Sequence, residues 1–186
     1  DPDGVDTAVQ KVCQSIEAAV DVGCSDLIVT VGQDHDGVER AAQRDAIVAV
    51  LERVGGDAAD AGVTLGVEPL NTAVDHPGYF LSASHEGYDI VEAVDCSHVK
   101  LLFDVYHQQV TEGNVTANLT GHLDHISYVH IADVPGRHEP GTGELNYENV
   151  LGALTDAGYD GTVGCEFVPS GDDRAAVERC RAFLDD

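Results

Sequence analysis

Apolar residues recur along this chain at two spacings that alternate. Residues 5–22 place Val5, Val9, Val12, Ile16, Ala19 and Val20 about three or four apart, which predicts a helix with one apolar stripe, stopped by Gly23. Residues 26–31, Asp-Leu-Ile-Val-Thr-Val, make a short unbroken run of the kind a buried strand shows. A long helix is predicted over 37–61, with Gly55-Gly56 as a soft spot near its end and Gly62 closing it. The pattern then repeats. Strand 63–68 leads through a loop at 69–80 to a helix over about 82–94, capped by Ser82 or Ser84. Strand 98–104 is followed by a loop at 105–113 and a helix at 114–124. Strand 126–132 opens into a polar loop rich in Gly and Pro, which carries Arg137, His138, Glu139 and Glu144, before a helix at 147–157. Strand 161–167 and a helix at 172–184 complete the series.

Five strands, each followed by a helix and never by a hairpin partner, imply right-handed crossovers and a parallel α/β sheet. Two architectures satisfy that rule: a doubly wound open sheet, or part of an eightfold barrel. The residues at the strand ends separate them. Glu68 and Asp104 end their strands, and His130 and Glu166 lie near the ends of theirs, at gaps of 36, 26 and 36 residues that each match about one strand–helix repeat. In a barrel such ends converge on one mouth, whereas in an open sheet they spread along an edge. A lone strand His is more often structural than a ligand, and a lone acid is as often a cap or a solvated group. Four in register favour a shared ion. Three carboxylates and one imidazole form a hard, mostly oxygen donor set, suited to one divalent metal ion of the Mg²⁺ or Mn²⁺ kind.

Composition narrows the partners. At 186 residues the chain is one domain by size, 1–186. Nine Lys plus Arg against 34 Asp plus Glu give a net charge of −25, which disfavours nucleic acid and anionic membranes as partners. A hydrophobic content of 43% with regular periodicity argues against disorder. An acidic, Lys-poor globular chain suits a salt-rich cytosol, where screening removes self-repulsion. The cysteines Cys13, Cys24, Cys96, Cys165 and Cys180 are odd in number and scattered, and read as buried free thiols of a reducing compartment. No apolar run approaches the roughly 20 residues of a membrane span. Two Asn-x-Thr matches, beginning at Asn114 and Asn118, read as helix residues rather than glycosylation sites. The chain contains no Met, so a processed, trimmed or partial product is expected.

Four segments carry a resemblance. Gly66-Val-Glu-Pro-Leu-Asn71, Leu102-Phe-Asp-Val-Tyr-His107, Val129-His-Ile-Ala-Asp-Val-Pro-Gly-Arg-His-Glu-Pro140 and Gly164-Cys-Glu-Phe-Val-Pro169 resemble the hydroxypyruvate isomerase family, within the xylose-isomerase-like TIM barrels. The similarity runs from about Asp6 to Arg181. It implies that Glu68, Asp104, His130 and Glu166 hold the metal on the fifth to eighth strands of a (β/α)8 barrel. It implies too that Glu68 and Glu166 are the proton-transferring pair, while His107 and Arg137 grip the oxygens of a small hydroxy-keto acid or sugar substrate. Asn71 matches a neighbouring position of that family without an assigned role. On this reading the chain is a partial barrel of about five βα units, strands 4–8, with the first three missing, and another copy in a homo-oligomer is one way to cover the gap.

The implied reaction converts hydroxypyruvate to 2-hydroxy-3-oxopropanoate through an enediolate. Such isomerases often carry Gln where this chain has His130, and His is usual in the related ketose 3-epimerases, so a metal-dependent 3-epimerase stays open. A non-catalytic metal-binding remnant is the alternative outside enzymes. The apurinic-site endonucleases that share the barrel are an outside fourth reading, since they need a basic DNA face and several more metal ligands.

Overall fold

A computed structural model describes residues 4–184. The order of elements is α1 (Val5–Val22), β1 (Asp26–Val29), α2 (Arg40–Ala61), β2 (Thr64–Val67), α3 (Ser84–Val94), β3 (Val99–Asp104), α4 (Val105–Thr111), α5 (Val115–Thr120), a 3₁₀ turn (Leu123–His125), β4 (Ile126–Ile131), α6 (Tyr147–Asp156), β5 (Thr162–Cys165) and α7 (Asp173–Leu184). All neighbouring strands pair in parallel, and their spatial order β1-β2-β3-β4-β5 is the chain order. A doubly wound sheet reverses its strand order at a switch point. This one never does, which is barrel winding and removes the open-sheet alternative.

The pleat divides each strand between two faces. Leu65 and Val67, Leu101 and Phe103, and Val129 and Ile131 are buried and belong to the hydrophobic clusters that join the sheet to its helices. The other parity carries Gly66 and Glu68, Leu102 and Asp104, Tyr128 and His130, and Gly164 and Glu166. A Cβ on Gly66 would lie 3.2 Å from Leu102, and one on Gly164 would lie 2.7 Å from the Tyr128 ring. The missing side chains therefore make room for a layer of larger ones beneath the four chemical residues.

Several boundaries differ from expectation. Residues 105–111 are a helix rather than a loop, because the Asp104 carboxylate accepts the His107 backbone N–H at 3.1 Å and caps a short turn of chain. The helix expected at 114–124 is two pieces, divided near Gly121, with Asn114 left-handed at its start. Ser82 and Ser84 do not cap α3: Ala83 holds the cap position without a side-chain bond, and Ser84 donates instead to Glu112. Helix α2 starts at Arg40 and passes unbroken through Gly55-Gly56. Gly55 is a packing position, since a Cβ there would lie 3.0 Å from the Cys96 sulfur. The five cysteines are free, but only Cys180 is buried; Cys13 and Cys96 are partly covered, and Cys24 and Cys165 are exposed. Among the described residues no helix is long and apolar enough to cross a membrane.

Gly87 offers a test of the packing. A Cβ there would meet Leu101 Cδ1 at 2.4 Å and Pro69 Cγ at 3.2 Å. Alanine would gain about 1 kcal/mol of helix propensity, but overpacking a fully buried contact costs about 1–3 kcal/mol. Gly87→Ala is expected to lower stability by up to about 2 kcal/mol in urea titrations, and a stabilised variant would contradict the contact.

Candidate active site

The backbone ladder aims the four chemical residues. Glu68 lies one residue past β2, and its N–H still bonds to Val29 O at 3.1 Å; Glu166 lies one past β5, with its N–H on Ile131 O at 3.2 Å. Tyr79 adds a lock, accepting from Val31 N at 2.8 Å and donating to Glu68 O at 3.1 Å. Asp104 and His130 are register partners on β3 and β4. One ligand-type atom from each of Glu68, Asp104, His130 and Glu166 lies within 4.8 Å of all the others. His130 Nδ1 is 3.5 Å from both Glu68 Oε1 and Glu166 Oε2, and 3.9 Å from Asp104 Oδ2.

Glu68, Asp104 and His130 are buried, whereas the Glu166 side chain is 44% exposed at the mouth. Among the described residues Glu68 Oε1, Asp104 Oδ2 and His130 Nδ1 have no hydrogen-bond partner. Buried polar atoms without partners are costly. Two carboxylate oxygens and an imidazole nitrogen, all unpartnered and all within 4.8 Å of one another, fit a hard divalent cation.

Electrostatics within the cluster agree with that fit. Burial and the nearby Glu68 carboxylate push Asp104 up to about 7. Burial opposes a charge on His130, but the carboxylates of Glu166, Glu68 and Asp104 outweigh it and raise its pKa to about 9. The same imidazole, helped by Arg137, holds Glu166 down at about 2 against its burial. Both shifts favour positive charge among these carboxylates, which is what a bound cation would supply.

Arg137 reaches this cluster from the loop after β4. Its Nη2 pairs closely with Glu166 Oε2 and lies 3.8 Å from Asp104 Oδ2, and its guanidinium sits over the Tyr106 ring at 5.3 Å. Its backbone is left-handed, φ 56°, a conformation that costs a non-glycine residue about 1 kcal/mol or more. Neighbouring bonds hold it there: Asp133 N to His138 O at 2.7 Å, and Val168 N to Arg137 O at 2.8 Å. His107, in the first turn of α4, is fully buried beside Asp104, and burial with the Arg137 charge presses its pKa down to about 3.

All six residues singled out from the sequence therefore lie in one region. Others at the site were not singled out. Asp133 is fully buried and accepts five backbone N–H groups, from Val134 at 2.9 Å and Leu145 at 3.1 Å on Oδ1, and from Gly141, Thr142 and Gly143 at 2.9, 3.0 and 2.8 Å on Oδ2. Glu139 accepts from Ser170 N at 2.9 Å and Ser170 Oγ at 2.7 Å, tying the same loop to the segment after β5. Asp75 accepts from Tyr106 Oη at 2.8 Å and Asn71 Nδ2 at 2.7 Å. An Asp before a Gly- and Thr-rich loop was the available signal for Asp133; nothing local marks Asp75 or Tyr106.

A singly wound parallel α/β sheet with an acid and imidazole cluster at the carboxyl ends of four successive strands defines a barrel-type class with its chemistry at the mouth. The chain belongs to the Xylose isomerase-like TIM barrel family, whose model matches residues 1–186. It is 36% identical over 171 residues to the 2-oxo-tetronate isomerase of Cupriavidus necator, covering 92% of this chain and 65% of that protein. It is 38% identical over 107 residues to the hydroxypyruvate isomerase of Escherichia coli, covering 58% of this chain and 41% of that protein. The crystal structure described as an AP endonuclease, family 2, from Brucella melitensis superposes with a TM-score of 0.79 at 31% identity, over 91% of this chain and 68% of that one. The chain thus spans less than two thirds of the length of either of these isomerases.

Proposed function

We propose that this chain carries the active site of a divalent-ion-dependent isomerase acting on a small hydroxy-keto acid, with hydroxypyruvate the first candidate and a 2-oxo-tetronate the second. The four-donor cluster with its three unpartnered buried atoms carries the reading. Glu68, Asp104, His130 and Glu166 would hold the ion, of the Mg²⁺ or Mn²⁺ kind. When bound, it would supply positive charge where the substrate oxygens become negative.

The chain's own groups account for the rest. Glu68 and Glu166 are the proton-transfer pair: one takes a proton from the hydroxyl-bearing carbon, and a proton returns to the former carbonyl carbon, while a hydroxyl proton moves from one oxygen to the other. Their unequal exposure suits unequal roles, with Glu68 on the buried floor and Glu166 at the mouth. The planar guanidinium of Arg137 suits a substrate carboxylate or developing oxyanion, which it can bind through two parallel N–H donors. His107 contacts a substrate oxygen.

A substrate panel with Mg²⁺ or Mn²⁺ tests this, run at low and at molar KCl because of the charge of −25. Turnover of hydroxypyruvate or a 2-oxo-tetronate is expected. Conversion of a ketose with neither acid touched would replace this reading by the 3-epimerase that His130 favours, and ion uptake with no turnover would leave a binding module. The net negative charge disfavours a DNA substrate.

Ion binding must displace protons, so its affinity rises with pH. His130 holds its proton below about 9 and Asp104 below about 7. The affinity is expected to climb about tenfold per pH unit between those values, and more steeply below 7, as two protons are then released. Calorimetry in buffers of different ionisation heat counts them. A flat response from pH 6 to 9 would count against the cluster as the ion site.

A further inference from the structure

One buried group at the site has its hydrogen-bond roles fixed by the chain itself. Asn71 Oδ1 accepts two backbone N–H groups, Val74 at 3.0 Å and Asp75 at 3.1 Å. That settles which end of the Asn71 amide is which, so Nδ2 is the NH₂ with two hydrogens to give. One goes to Asp75 Oδ2 at 2.7 Å, and the other points at His107 Nδ1, also at 2.7 Å. The Asn71 backbone N–H aims at that same ring nitrogen at 3.2 Å. Two donors meet Nδ1, so Nδ1 is an acceptor and carries no proton.

The neutral ring must then bear its hydrogen on Nε2. That atom is buried and has no hydrogen-bond partner among the described residues. Asp104 Oδ2, the facing acid oxygen, is 3.8 Å away, too far for a hydrogen bond. The ring is fully buried, with the His76 and Tyr106 rings each 5.3 Å away by centroid. Tyr106 in turn is tethered to Asp75, the carboxylate that also holds Asn71.

We propose that Asn71 is a positioning residue that fixes the single ring proton of His107 on Nε2, so that His107 meets a substrate oxygen only as a hydrogen-bond donor. The inference deepens the isomerase reading and rests on it for the identity of the acceptor: a carbonyl or enolate-type oxygen, which offers lone pairs. His107 is thereby excluded as the base that takes the carbon-bound proton, and that work falls to the carboxylates.

The test is NMR on ¹⁵N-labelled, ion-free protein, reading long-range proton–nitrogen correlations of the His107 ring, assigned by their loss in His107→Gln. The wild type is expected to show a protonated Nε2 and an unprotonated, pyridine-like Nδ1. A protonated Nδ1 in the wild type overturns the proposal without need of a variant. Asn71→Asp keeps an oxygen for the Val74 and Asp75 N–H groups but turns an acceptor toward the ring, and is expected to bring a proton onto Nδ1. The Asn71 backbone N–H stays on Nδ1 in this variant, so an unchanged ring pattern in a folded Asn71→Asp protein would show that the Asn71 side chain does not set the tautomer. No turnover is involved, so failure of the isomerase reading and failure of this inference are distinguishable.

Discussion

Asp133→Ala is expected to lower the stability of the protein by about 3–5 kcal/mol and to release the loop that carries Arg137. One buried carboxylate there satisfies five backbone donors. Hydrogen bonds to a charged group contribute about 1.5–3 kcal/mol each, and donors stranded without a partner cost about 1–3 kcal/mol. Water entering the opened loop recovers part of that sum, which is why the expected loss is nearer the value of two such bonds than of five. Asp133→Asn has almost the same shape, yet its NH₂ must face either the Val134 and Leu145 pair or the three donors of the 141–143 turn. It is expected to lose a large part of the same stability. Urea unfolding gives the magnitude, and hydrogen exchange at residues 141, 142, 143 and 145 gives the place. An Asp133→Ala protein within about 0.5 kcal/mol of wild type, with those amides still protected, would show that the loop is held by something else.

Asp104→Asn should move two quantities in opposite directions. Its Oδ1 would still accept the His107 N–H, so the cap on α4 survives. The other position becomes an NH₂ with no lone pair for a cation. Altering a group that merely orients a metal ligand costs 10–100-fold in affinity, so replacing a donor is expected to cost at least about 100-fold in Mn²⁺ or Mg²⁺ binding. The ion-free protein is expected to become more stable. Because the folded-state pKa of Asp104 is raised from 3.8 to about 7, its contribution is present at acid pH and is lost as pH rises through 7. The advantage of the neutral Asn should therefore be absent at pH 3 and full above pH 7. Unchanged ion affinity would remove Asp104 from the ion site; an advantage at pH 3 as large as at pH 8 would mean that charge is not its cause.

The parts legible in the sequence were those set by repetition. The recurrence of an acid or His at four successive strand ends predicted which four residues meet, because the pleat and parallel register carry such positions to one side of the sheet. Glu68 and Glu166 fall one residue beyond the assigned strands, but the ladder bonds at Val29 O and Ile131 O keep them aligned. Contacts between distant segments were not legible. The α4 helix was missed because its seven residues are too few for a periodic signal, and only the Asp104 cap marks its start. Asp133 lay at the start of a stretch read as a polar loop without a role of its own, while its partners are spread over the following twelve residues. Asn71 matters through a ring 36 positions away, a relation no local pattern displays.

The agreement between strand order and chain order bears on how the protein is made. Each strand–helix unit lays down beside the one synthesised just before it, so the sheet can grow on the ribosome without waiting for a distant partner. The chemistry cannot. Its donors arrive one from each of the four units from β2 onward, and Glu166 comes last, so a nascent chain holds an acidic, unfinished pocket until translation has passed β5.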